Sequence, residues 1–163
     1  MGTFCYNKEC REGLLRVFLL MFFILLRPNI LWAGLGQTSA SIDQDHQVFQ
    51  AKTRTQKMQT YYTVYELKRD GLTLKEFEDK NGKIFALSWV GISHPDLSNL
   101  LGEYFYDYQN ALVQVRPTPG HRRFGKFQGK NIVIEKSGLM GQSHGRAYLP
   151  QAIPKNVSLD EIQ

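Results

Sequence analysis

The alternation of apolar and polar positions is clearest between Tyr61 and Val90. Three β-rich runs, Tyr61 to Leu67, Leu72 to Glu78 and Lys83 to Val90, are separated there by Asp70-Gly71 and Asn81-Gly82. Glycines at those places supply the positive φ angles that tight two-residue hairpins demand, so the block reads as an antiparallel meander. In the third run Phe85, Leu87 and Trp89 share one face, taken as core, while Ile84, Ala86, Ser88 and Val90 share the other. That second set is too apolar to be fully wet, so cover is expected on both sides of the sheet.

The period then changes. From Asp96 to Val115 the apolar residues Leu97, Leu100, Leu101, Tyr104, Tyr108, Ala111, Leu112 and Val115 recur every three or four positions, which predicts one long amphipathic helix packing on the sheet. Ser93-His94-Pro95-Asp96 reads as its start, with Ser93 as cap, Pro95 in the first turn and Asp96 completing a capping box. A shorter helix is expected from about Ser41 to Thr53, on the spacing of Ile42, Val48 and Phe49. Two more strands are expected at Asn131 to Lys136 and Arg146 to Leu149, and a last turn capped by Ser158 with Glu161 three residues on. The fold class is therefore α+β: an antiparallel β-meander sheet packed by one long amphipathic helix, with a short N-terminal helix.

The start of the chain follows neither period. Lys8, Arg11 and Arg16 precede ten apolar residues, Val17 to Leu26, and then come a break at Arg27-Pro28-Asn29 and small residues at Ala33-Gly34. This is the layout of a secretory signal peptide over 1–33, cut after Ala33 or alternatively after Gly36. The other reading is an uncleaved anchor in the inner membrane. A spanning helix needs about 20 apolar residues, and Arg27 interrupts after ten. Residues 34–163 are then a single exported domain, in the periplasm or outside the cell, that touches the membrane only through the N-terminal segment if that is uncleaved.

Export changes what the composition means. The whole chain carries 20 Lys and Arg against 15 Asp and Glu, and two Cys. Residues 1–33 hold four of the basic residues, two of the acidic ones and both thiols, leaving 16 against 13 and no Cys. A disulfide scaffold and a cysteine zinc module are both excluded. Five of the 16 basic residues, Arg116, Arg122, Arg123, Lys126 and Lys130, lie in a Gly/Pro loop at 116–130 without an acid, together with His121, Phe124 and Phe127. Such a concentrated field suits an anionic partner, a phospholipid surface or an acidic polysaccharide, with a solvated surface loop as the plainer alternative. Nucleic acid is not expected outside the cytoplasm.

Catalytic chemistry is weakly signalled. His46, His94, His121 and His144 show no ligand spacing and no cofactor motif is present, so neither metal nor cofactor is expected. His94-Pro95-Asp96 matches the J-domain tripeptide, but a strand precedes it where a helix is required. Ser143-His144 lacks a nucleophile elbow, and neighbours on a strand project to opposite sides. Glu76, Glu78 and Asp79 read as solvated hairpin charges, and the Tyr61, Tyr62, Tyr65 and Tyr104, Phe105, Tyr106, Tyr108 groups as core and rim.

Several blocks stand in a definite order. They are Gly34-Leu-Gly; Tyr-x-Val-x-Glu-Leu-x-x-x-Gly from Tyr62 to Gly71; Lys75-Glu-Phe; Gly82-Lys-Ile-Phe-Ala-Leu-Ser-Trp-Val-Gly91; Pro95-Asp-Leu-x-x-Leu-Leu-Gly-x-Tyr-Phe105; and Gly145-Arg-Ala-Tyr-Leu-Pro150 ahead of Asp160-Glu-Ile-Gln163. In this combination, over Gly34 to Gln163, the chain resembles the exported bacterial family of domain of unknown function 2844. The resemblance implies a signal peptide and one exported domain, with no established activity, cofactor or catalytic residue. The expected function is a non-catalytic periplasmic or cell-surface domain that binds a protein or an anionic envelope component, through the loop side or an exposed sheet edge. The rivals are a small envelope hydrolase using His121 or His144 and an inner-membrane signal-anchored accessory protein.

Overall fold

A computed structural model of the chain describes residues 34–38, 49–114, 125–139 and 141–163, all within one compact unit, Trp32–Gln163. The segment expected to be a signal peptide, most of the helix expected over 41–53, and Arg116, His121, Arg122 and Arg123 lie outside the described residues.

Among the described residues seven strands form one antiparallel sheet: β1 (Thr53–Met58), β2 (Tyr62–Arg69), β3 (Leu72–Asp79), β4 (Ile84–Gly91), β5 (Gly125–Gln128), β6 (Val133–Leu139) and β7 (Gln142–Tyr148). Their order in space is β1-β2-β3-β4-β7-β6-β5. Two meanders, β1 to β4 and β5 to β7, therefore join where β4 pairs with β7. Asp70-Gly71 and Asn81-Gly82 turn the first two hairpins of the expected meander, and Asp79 fixes the second by accepting from the N–H of Asn81 at 2.9 Å and of Lys83 at 2.8 Å.

Two strands depart from expectation. β1 begins at Thr53, where the N-terminal helix is expected to end, and its residues are polar on both sides apart from Met58, so no alternation marks it. β5 occupies Gly125–Gln128 inside the segment that reads as a basic loop, with Phe127 as its one buried side chain.

The long helix is also corrected. Among the described residues, which are mostly β, the helical segments that follow β4 are α1 (Leu97–Leu100), a 3-10 turn (Gly102–Tyr104) and α2 (Phe105–Gln114). Gly102 has φ +50°, a left-handed conformation that a right-handed helix cannot continue through. The periodic stripe still does its packing, with Leu100, Leu101, Tyr108 and Ala111 all buried. The cap is Asp96, whose side chain accepts from the Ser98 N–H at 2.9 Å; Ser93 and Pro95 precede the helix. Asp107 on α2 ties down the β5–β6 turn by accepting from the N–H groups of Lys130 (2.9 Å) and Asn131 (2.7 Å).

Each side of the sheet has its own apolar cover. On the helix side Leu67, Leu74, Ile84, Leu87, Trp89, Ile134 and Ala147 pack beneath α1, α2 and Leu35. On the opposite side Tyr62, Phe77, Phe85, Ala86, Val133 and Tyr148 pack beneath a C-terminal tail that contributes Ile153, Val157, Leu159 and Ile162. Phe85 thus faces away from Leu87 and Trp89, contrary to simple alternation. The β3–β4 register pairs Phe77 with Ala86 but Glu78 with Ile84, so Phe85 is the extra residue of a bulge that moves it to the other face. The tail's short 3-10 turn (Leu159–Glu161) has the expected capping box between Ser158 and Glu161.

Candidate functional site

The tail covers only one end of its side of the sheet. The rest is an open groove of about 890 Å³. Register decides what lines it. Glu66 is opposite Lys75, Lys75 opposite Ser88, Ser88 opposite Arg146, Arg146 opposite Glu135 and Glu135 opposite Lys126. Six strands thereby place one residue each in a single row, which at strand spacings of about 4.8 Å spans about 24 Å. The next row outward is Lys68, Thr73, Val90, His144 and Ser137. Val90, exposed in that row, gives the groove an apolar edge.

The charges in this row are organised. Glu135 accepts from Arg146 Nε at 2.7 Å and pairs with Lys126 at 3.1 Å. Burial pushes its carboxyl up, but the bonds and charges of Lys126 and Arg146 outweigh that and hold it below the ordinary carboxylate value. The Lys126 ammonium is held above its usual range, chiefly by the bond to Glu135. Arg146 also donates through Nη1 to the Leu159 carbonyl at 2.5 Å, and Lys75 donates to the Gln163 carbonyl at 2.7 Å. These two cations fasten the tail as one wall of the groove. Lys68 pairs with Glu66 at 2.6 Å. Lys68 and Lys126 sit at opposite ends, both more than half exposed.

Of the six residues expected to bind an anion, Lys126 and Lys130 are described. Lys126 projects into the groove, whereas Lys130 lies in the β5–β6 turn against α2, so the two do not converge. Glu66, Lys75 and Arg146 stand in three separate blocks of the family resemblance and Glu135 in none; alternate positions on separate strands gather the four only once the register is known.

The other chemical candidates resolve differently. Ser143 and His144 do project to opposite sides: His144 lines the groove, and Ser143 Oγ lies 2.8 Å from Nδ1 of His94 on the helix side. Ser143 is itself buried, which withdraws its hydroxyl from a substrate. Glu76 and Glu78 are buried rather than solvated, and Tyr65 donates to Glu78 at 3.0 Å, because both carboxylates face the helix side. Lys136 lies over the rings of Tyr108 and Phe127 and donates to the Tyr108 hydroxyl at 2.6 Å; burial lowers its pKa. Among the described residues no three His, Cys, Asp or Glu side chains form a metal-binding group, and no helix is long and apolar enough to cross a membrane.

No curated protein and no solved structure matches the chain. Residues 32–162 match the family described as protein of unknown function (DUF2844), and the chain belongs to that family.

Proposed function

We propose that the chain is an exported, non-catalytic binding domain that holds an anionic envelope component on the open half of its sheet. The observation that carries this reading is the groove of about 890 Å³, with Lys68 and Lys126 exposed at its two ends and His144 between them. An extended polyanion that crosses the groove from Lys68 in the outer row to Lys126 in the inner one meets both lysines, and its binding is sensitive to salt because both are solvated. Export rests on the signal-like segment ahead of Gly34. Leu35 is wholly buried, and its N–H donates to the Leu100 carbonyl at 2.9 Å. A cut after Gly36 removes that core side chain, so this reading takes the cut after Ala33; N-terminal sequencing of the product from the cell envelope tests it.

Binding is tested by co-sedimentation with vesicles containing anionic phospholipid and by titration with polygalacturonate. Changing Lys68 and Lys126 together to Ser is expected to weaken binding at least tenfold at low salt, with the difference shrinking above about 0.5 M salt. Equal binding by the double variant sinks the assignment to this groove.

A further inference from the structure

The free edge of β1 is a second surface, built from different residues. We propose that β1 accepts an extended acidic segment of a partner protein as an eighth strand of the sheet. β1 stands first in the strand order, and among the described residues nothing pairs with its outer side. The N–H of Gln59 donates to the Tyr62 carbonyl at 2.8 Å, and the same register continues through Lys57 opposite Val64. Thr53, Thr55 and Lys57 therefore turn their backbone groups toward β2, while Arg54, Gln56 and Met58 turn theirs outward. All six residues of β1 are exposed, and among the described residues neither loop nor helix covers the edge.

Proteins blunt such edges with proline, bulges or charge. β1 contains no proline and pairs in unbroken register with β2; Lys52, just ahead of it, is paired with Asp70 at 2.7 Å, and Arg54 and Lys57 make the strand itself basic, with no acid from Phe49 to Thr60. Two copies meeting edge to edge set these cations against each other, whereas an acidic strand is drawn in. A side-chain pocket lies beside the edge. On the tail side of the sheet, Thr55 and Lys57 border a cavity of about 290 Å³ floored by Val64 and Phe77 and closed by Glu161 and Gln163. Alternate side chains of an added strand project to the same side as Thr55 and Lys57 and reach it; backbone bonds then give affinity and this pocket gives choice.

The test uses the full chain and a synthetic octapeptide alternating Glu and Val, with its Lys-Val counterpart as control. Binding of the Glu-Val peptide is expected to slow amide exchange at Arg54, Gln56 and Met58 at least tenfold and to leave β5 unchanged. Gln56→Pro removes an outward N–H and leaves the ladder to β2 intact, so it abolishes binding. Lys57→Glu, which leaves the backbone untouched, weakens binding at least tenfold and keeps the proposal testable should the proline variant unfold. No slowing at β1, equal binding of the Lys-Val peptide, equal binding by Lys57→Glu, or a peptide-free dimer abolished by Gln56→Pro would each overturn it.

Discussion

Glu135 sits between Lys126 and Arg146 with both carboxylate oxygens engaged, and Tyr148 donates to it as well, at 3.3 Å. Its pKa is lowered in the folded chain, so it contributes stability that is fully present above the ordinary carboxylate value and is lost as pH falls through the lowered one. Glu135→Gln is therefore expected to lower the urea midpoint at pH 7 and to converge with the parent as pH falls from the ordinary carboxylate value through the lowered one. A constant gap between the two across that range contradicts the assigned charge pairs. The same residue shows why single positions are hard to interpret alone. In sequence Glu135 is one acid in a short strand; only pairing with two other strands gives it partners.

At the scale of elements, the break between α1 and α2 belongs to Gly102. Gly102→Ala is expected to destabilise the chain by about 1–2 kcal/mol, measured by urea unfolding, instead of extending the helix, because φ +50° is costly for any side chain. A gain in stability or in helical circular dichroism refutes that account. This glycine also marks the limit of legibility. The first meander is plain in the sequence because its runs are bounded by Asp70-Gly71 and Asn81-Gly82, both of which do turn hairpins. The helical stripe is plain too, but a glycine inside it reads as tolerable until its φ is known. β1 is illegible because a strand polar on both faces leaves no period, and the Phe85 bulge because the positions on either side of it are equally apolar. Of the expected anion site, Lys126 reaches a groove, and it does so from a strand, not a loop.

At the scale of the whole molecule, the tail completes the second core and at the same time bounds the groove. Ile162 has no exposed surface and lies against the cluster that holds Phe77 and Phe85. Ile162→Ala is expected to cost about 2–5 kcal/mol and to raise binding of a hydrophobic dye, since the tail then leaves that cluster partly open. Little change in either measurement means that the tail is not part of the fold's closure.

The junction of the two meanders also sets an order of events. Each meander is made of hairpins between chain neighbours, but Gly91 pairs with Ser143 and Ala86 with Tyr148, 52 and 62 residues apart. Local hairpins close in microseconds, whereas this pairing must first overcome the entropy of a long loop. At the junction Gly145 lies under the Trp89 ring, where an added Cβ would sit 2.4 Å from Cζ2. Gly145→Ala is accordingly expected to slow refolding in proportion to its loss of stability. Thr55→Ala on the outermost strand should only hasten unfolding. Stopped-flow rates for the two variants decide whether the molecule's slowest step is the joining of two halves already formed.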